Sequence, residues 1–297
     1  MNILEKCNLC PRNCLVNRTK EKGFCGCGDK MIIAKAYLHM WEEPCISGDN
    51  GSGTIFFSGC NLRCIFCQNY QISNELVGHE VSIEDFSKIC LNLEKQGANN
   101  INLVTPTPYV PLIIEGIKLA KKKGLKIPIV YNTSSYENVE TIKMLDGIVD
   151  IYLPDLKYYD DQYAIKYSNA KDYFINASNA ILEMYKQVGK PIFKDGIMTS
   201  GIIVRHLMLP GLLDDSKKIL DYLYKTYKNN IYISIMNQYT PVTDLSEYKE
   251  IDRRITKREY NKVVDYAINI GVVNGFIQGD ETAKDSFIPD FSDYFGI

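Results

Sequence analysis

A chain of 297 residues can bury one full domain core, and 45% hydrophobic with 24% charged residues is the composition of an ordinary globular protein. Its formal net charge of -2 excludes bulk attraction to nucleic acid or an anionic membrane surface. No segment approaches the roughly 18 consecutive apolar residues that span a bilayer, and Met1-Asn-Ile-Leu-Glu-Lys-Cys7 lacks the apolar stretch of a signal peptide, so a cytoplasmic location is expected.

Ten cysteines without an export signal argue for metal or redox ligation rather than disulfides, and nine of them lie at or before Cys67. Residues 1–30 form a compact unit with Cys7-x2-Cys10-Pro11-x2-Cys14 followed by Gly23-Phe24-Cys25-Gly26-Cys27. Gly and Pro between the thiols suit the tight turns of a metal knuckle. Cys7, Cys10, Cys14 and Cys25 are the first choice of ligands and Cys27 the last. They would close a structural zinc site or hold a second iron–sulfur cluster, and the pattern leaves both open. With the isolated Cys45 of Glu42-Glu43-Pro44-Cys45, residues 1–50 are expected to form a Cys-rich N-terminal segment and 51–297 one core domain.

From Thr54 onward strands and helices alternate. Short β-rich runs are predicted at Thr54–Phe57, Ile101–Val104, Pro128–Tyr131, Ile148–Leu153, Ile202–Met208 and Ile231–Met236. Helical patterns are predicted at Ser82–Gln96, Pro111–Lys123, Val139–Leu145, Asp172–Val188, Asp215–Tyr227 and Lys257–Ile270. In the first helix Ile83, Phe86, Ile89, Cys90 and Leu93 share one face, which makes Cys90 a small buried apolar residue. Lys121-Lys122-Lys123 precedes Gly124 and reads as a helix C-terminus rather than a phosphate site. Six βα units imply a parallel sheet, open or curved into a partial barrel, and Val273–Gln278 is expected to cap its edge.

The chemistry-bearing stretch is Cys60-Asn-Leu-Arg-Cys64-Ile-Phe-Cys67, a C-x3-C-x2-C triplet directly after the first strand of this series. Three thiolates on one loop can hold three irons of a cubane and leave the fourth without a protein ligand, whereas such clusters normally take four cysteines. The competing readings are a zinc site, which usually brings paired C-x2-C halves or His, and a chance cluster. Together with Gly59-Cys60 and Phe66-Cys67-Gln68-Asn69, the triplet resembles the radical S-adenosylmethionine (SAM) superfamily, and more narrowly the proteins related to pyruvate formate-lyase activating enzyme. The resemblance implies an α/β fold, a partial (β/α)6 barrel with a small N-terminal Cys-rich metal-binding segment. It implies a [4Fe-4S] cluster on Cys60, Cys64 and Cys67, and SAM chelated at the open iron. It also implies reductive cleavage of SAM to a 5'-deoxyadenosyl radical, with an external electron donor such as flavodoxin or ferredoxin. Hydrogen abstraction from a glycine of a partner glycyl-radical enzyme would follow. The alternatives are a small molecule or another protein side chain as substrate, or a non-catalytic Fe–S or zinc module.

Ligands of parallel α/β sheets bind outside the carboxyl ends of the strands, and the resemblance gives SAM-binding roles to residues there. Phe66 matches an aromatic placed against the adenine, with loop packing as its other reading. Thr105 and Thr107 stand where many relatives carry Gly-Gly-Glu for the SAM amino group, and their hydroxyls and carbonyls offer acceptors instead. Asn132 and Thr133 match a segment that begins with Asp in the activating enzymes, so one negative charge is absent, and they also suit a helix N-cap. Asp155 and Lys157 match an Asp-x-Lys element. At i and i+2 on a strand both can point into the barrel mouth, the other reading being a surface ion pair. Arg205 matches an arginine that contacts SAM, while His206 faces the other side of its strand and is expected to be structural.

Overall fold

The computed structural model describes residues 3–279 and 291. Its strands, in chain order, are β1 (Met31–His39), β2 (Ser52–Phe57), β3 (His79–Val81), β4 (Ile101–Val104), β5 (Ile129–Thr133), β6 (Ile151–Pro154), β7 (Ile192–Lys194), β8 (Ile197–Leu207), β9 (Tyr232–Met236) and β10 (Gly275–Ile277). The sheet order is β10-β9-β8-β6-β5-β4-β2-β1-β3, with β7 hairpinned onto β8. The six strands from β2 to β9 along this path run parallel, and β10 adds a parallel edge to β9. Helices Ile83–Lys95, Val110–Lys122, Val139–Lys143, Tyr173–Val188, Leu213–Tyr227 and Lys257–Asn269 follow the six strands, so the predicted partial (β/α)6 architecture is the observed one.

Period-two alternation divides the core. Ile101 and Leu103, Ile129 and Tyr131, Tyr152, Ile202 and Val204 pack outward with helix residues such as Phe86, Ile113, Ile142 and Ile181. Their neighbours Val130, Ile151, Leu153 and Ile203 pack inward in a separate cluster. The helix layer is tight enough that a Cβ on Gly116 would lie 2.3 Å from the ring of Phe86, a fully buried side chain of the first helix. That helix starts on Ser82, whose hydroxyl caps the Asp85 N–H at 3.1 Å. Cys90 is fully buried, as its helical face predicts.

Residues 31–50, grouped with the N-terminal segment on sequence grounds, contribute to the sheet of the core. Strand β1 pairs antiparallel with β2, and the short helix Pro44–Ser47 then closes the amino-terminal end of the barrel. Cys45 and Ile46 are buried among Val130, Ile151, Leu153, Met198 and Ile203. Asn99 and Asn100 donate to the Ser47 and Ile46 carbonyls at 2.6 and 2.8 Å. This plug fills the lower half of the barrel and leaves the inward residues of the upper half around a cavity.

Residues 3–30 dock beside the carboxyl ends of the strands. Arg12 donates to the Asn61 and Leu62 carbonyls at 2.8 and 3.2 Å, Arg63 donates to the Phe24 carbonyl at 2.7 Å, and Thr141 donates to the Leu9 carbonyl at 2.7 Å. Arg18 is buried and donates to the Pro108 and Gly28 carbonyls. The Lys121-Lys122 pair lies in the last turn of its helix, as expected. Among the described residues no helix is long and apolar enough to cross a membrane.

Candidate active site

Cys60, Cys64 and Cys67 lie on the loop that leaves β2. Gly59 makes the turn possible: its φ is +88°, and a Cβ there would lie 2.2 Å from the Cys27 sulfur and 2.9 Å from the Cys25 carbonyl. Asn61 ties the loop across the barrel by donating to the Tyr136 carbonyl at 2.6 Å, and the Ile65 N–H donates to the Tyr167 carbonyl at 2.9 Å. The three residues are half-buried, but their sulfurs point inward. Burial pushes the Cys60 thiol up to about 11 and the Cys64 thiol up to about 12, and it raises Cys67 as well. The nearby Lys157 ammonium opposes that shift at all three.

Each sulfur accepts a hydrogen bond: Cys60 from the Leu62 N–H at 3.4 Å, Cys64 from the Ser168 hydroxyl at 2.9 Å, and Cys67 from the Ser73 hydroxyl at 3.3 Å. Donors and a cation around thiols too buried to ionise alone form an environment made for thiolates bound to a cationic centre. Among the described residues no three His, Cys, Asp or Glu side chains are set to share a single metal ion. A cubane asks for something else, one thiolate per iron, so the trio fits a [4Fe-4S] cluster.

Beside the loop is a cavity of about 680 Å³, lined by Cys64, Phe66, Cys67, Asn132, Asp155, Lys157, Arg205, Ser234 and Gln238, with Glu42 and Glu43 of the plug at its floor. A chain of charges crosses it. Lys157 donates to Asp155 Oδ2 at 2.6 Å, Arg205 Nε donates to Asp155 Oδ1 at 2.9 Å, and Arg205 Nη1 donates to Glu42 Oε2 at 3.2 Å. Asn132 accepts from Arg205 Nη2 at 2.5 Å. Asn102 donates to the other Glu42 oxygen at 2.8 Å. Burial opposes the ionisation of Asp155, and Lys157, followed by Arg205, outweighs it and holds the carboxyl below its ordinary value. Burial likewise opposes the charge on Lys157, and Asp155 outweighs it and raises the ammonium. These side chains are only 12–14% exposed, which sets aside the surface-pair reading.

The other expected residues divide. Phe66 is buried against Tyr239, with ring centroids 5.6 Å apart, and also lines the cavity, so packing and exposure to ligand coexist. Thr105, Thr107 and Thr133 are not among the lining residues. The Thr107 and Thr133 hydroxyls each donate to Glu137 at 2.6 Å, and the Tyr131 hydroxyl joins them at 3.1 Å. Thr105 holds a φ of +59° and its N–H donates to the Asn132 carbonyl at 3.0 Å. His206 is structural as expected, bonded to the Leu156 carbonyl and the Ser216 hydroxyl at 2.9 Å each, and burial brings it down to about 4. Sequence patterns did not single out Glu42, Glu43, Ser73, Ser168 or Glu137. The one available signal was two adjacent acids followed by Pro44 in an otherwise apolar neighbourhood.

In the N-terminal unit a Cβ on Gly23 would touch the Cys25 and Cys14 sulfurs at 3.7 and 3.8 Å, which places those two thiols around one point. Cys10 lies near enough to Cys25 to feel its charge. Cys7 is buried with Leu4 and Leu9, and Cys27 is buried in the main core under the Tyr109 hydroxyl at 3.2 Å. As at the Cys60 loop, no three of these side chains among the described residues are set to share a single ion.

A parallel six-strand barrel with a three-thiol loop after its first parallel strand defines a class, and the comparisons with known proteins agree with it. Residues 54–223 match the model of the Radical SAM superfamily, and the chain belongs to that superfamily. Its cofactors are accordingly a [4Fe-4S] cluster and SAM. The chain is 32% identical over 277 residues to the uncharacterized protein MJ0674 of Methanocaldococcus jannaschii, covering 90% of this chain and 75% of that one. It is 24% identical over 215 residues to the pyruvate formate-lyase-activating enzyme of Clostridium pasteurianum, covering 70% of this chain and 82% of that one. Among solved structures, Streptococcus suis SuiB bound to S-adenosylmethionine superposes with a TM-score of 0.51 at 15% identity, over 75% of this chain and 49% of SuiB. The chain thus spans about half the length of SuiB, and this likeness concerns the fold.

Proposed function

We propose that this radical SAM enzyme activates a partner by abstracting hydrogen from one of its glycines, as an activating enzyme of the pyruvate formate-lyase type. The observation that carries the reading is the Asp155–Lys157–Arg205 chain on the wall of the cavity that Cys64 and Cys67 enter. The identity with the clostridial activating enzyme supports it. In this reading Cys60, Cys64 and Cys67 hold the cluster, and Phe66, Asn132, Asp155, Lys157 and Arg205 meet SAM directly. Thr105, Thr107 and Thr133 shape the strand ends behind it. The chemistry supplied by the cluster and SAM, when bound, is one-electron cleavage of the sulfonium to a 5'-deoxyadenosyl radical. The residues of this chain orient the cofactor, balance its charges and exclude water, which is the usual share of the protein in such reactions.

A second reading, hydrogen abstraction from a small molecule, is favoured by the plug, which confines the cavity to about 680 Å³, the size of a small-ligand site. Anaerobically reconstituted protein, reductant, SAM and a candidate glycyl-radical enzyme decide between them. The first reading expects 5'-deoxyadenosine and a glycyl radical signal in the partner. SAM cleavage without that signal, stimulated by a small molecule, contradicts it. We also propose Cys7, Cys10, Cys14 and Cys25 as a second metal site docked against the cluster loop, for which metal and sulfide analysis of a variant lacking Cys7, Cys10 and Cys14 is the test.

A further inference from the structure

The floor of the cavity carries one carboxylate more than its cations answer. Among the described residues three acids, Glu42, Glu43 and Asp155, face two bases, Arg205 and Lys157. The hydrogen bonds of both bases go to other groups, Arg205 to Asp155, Glu42 and Asn132, and Lys157 to Asp155, so Arg205 reaches Glu43 only through its charge. Glu43 is left over. It is 8% exposed, and its Oε2 is buried with no hydrogen-bond partner. An unanswered buried carboxylate oxygen is costly to a fold unless something arrives to pair with it.

The Glu43 backbone is held as the N-cap of the plug helix, its carbonyl accepting from the Ile46 and Ser47 N–H groups at 2.7 and 3.1 Å, while its side chain caps nothing. Glu43 precedes Pro44 at the start of the plug helix, where Cys45 and Ile46 supply the apolar contacts. Ser234 lies on β9 and Arg205 on β8, and the segment after β9 touches the cluster loop, with Gln68 donating to the Gln238 carbonyl at 3.1 Å. Glu43 lies at the floor of the same cavity that Cys64 and Cys67 enter.

We propose that Glu43 is a substrate-binding carboxylate that receives a cationic group, an ammonium or guanidinium, carried by the molecule from which hydrogen is taken. The inference rests on the SAM-cleaving reading of the same cavity and adds the charge of the substrate to it. An amine or guanidine on a short chain reaches Glu43 Oε2 from the open side, completes the pairing that Arg205 and Lys157 leave undone, and fixes the depth at which the substrate sits. Glu42, held by Arg205 and Asn102, fixes the neighbouring wall.

The test is calorimetric titration of the reconstituted holoenzyme, at saturating SAM, with n-pentylammonium and agmatine, and with 1-pentanol as the uncharged shape match. Both cations are expected to bind saturably and at least about tenfold tighter than pentanol, the scale of one charge-assisted hydrogen bond. Glu43→Gln should remove the discrimination and Glu43→Asp should restore part of it. If Glu43→Gln does not fold, the comparison on the unaltered enzyme decides alone. Equal affinity for cations and pentanol, or no binding of either cation, overturns the proposal. Displacement of SAM by either cation also overturns it, since the carboxylate would then serve the cofactor. 5'-Deoxyadenosine formation under reductant is measured on the same preparation. Enzyme that cleaves SAM but ignores the cations refutes this inference alone, and enzyme that does not cleave SAM refutes the reading beneath it as well.

Discussion

Replacement of Asp155 by Asn probes the charge chain at its centre. The carboxylate holds Lys157 at 2.6 Å and Arg205 at 2.9 Å, with all three side chains 12–14% exposed. Removing one member of a buried pair typically costs about 3–5 kcal/mol, because the partner charge stays behind without compensation. Here Arg205 keeps Glu42 at 3.2 Å while Lys157 loses its one ion-pair acceptor, which places the expected loss near the lower end, about 3 kcal/mol. For a chain of this size that is a fall of about 5 °C in Tm. The pH dependence has a definite sign. A carboxyl held below its ordinary value of 3.8 contributes stability that is present above that value and lost as pH falls through the native one. The difference between the unaltered protein and the variant should therefore be full at pH 7 and shrink below about pH 4. The assay is denaturant unfolding of the metal-free protein at both pH values, with Arg205→Gln and the double variant closing a cycle. A loss below about 1 kcal/mol at pH 7, the scale of an exposed pair, would refute the reasoning.

Gly59→Ala should both destabilise the protein and reduce iron and sulfide uptake at the Cys60 loop. The left-handed backbone alone costs about 1–2 kcal/mol, and the added methyl meets the Cys27 sulfur; iron uptake equal to that of the unaltered protein would contradict this. Burial pushes Glu137 up to about 7 from 4.5, so the native state binds more protons than the unfolded chain in that window. Stability of the metal-free protein relative to Glu137→Gln should accordingly fall by about 3 kcal/mol as pH rises from 4.5 through 7, and a flat difference would show the carboxylate to be solvated. Ser168→Ala removes the donor at 2.9 Å from the Cys64 sulfur, and a lowered cluster reduction potential is expected; an unchanged potential would remove Ser168 from the cluster environment.

Much of the scaffold was legible because its signals are local. The six strand–helix pairs announce themselves by apolar runs and helical periodicity, and Ile101–Val104 falls where it was predicted. The same period-two rule that put Asp155 and Lys157 on one face sorts Asn132 from Thr133. Asn132 points into the cavity and Thr133 turns to Glu137, a distinction the neighbouring residues carried all along. Strand β1 and the plug were not legible. Met31–His39 gains its place from pairing with β2, and Glu42 and Glu43 matter only because the chain doubles back beneath the barrel. Thr107 looked like a cofactor contact for the same reason, since the acid that takes its hydroxyl lies 30 residues further along.

The most direct measurement is electron paramagnetic resonance of the anaerobically reconstituted, reduced protein before and after SAM is added. A cluster held by Cys60, Cys64 and Cys67 with one open iron should give a signal that changes on SAM binding, with 5'-deoxyadenosine formed on turnover, and both should vanish when the three residues are replaced by Ala. A cluster signal indifferent to SAM, or one that survives the triple replacement, would contradict the account.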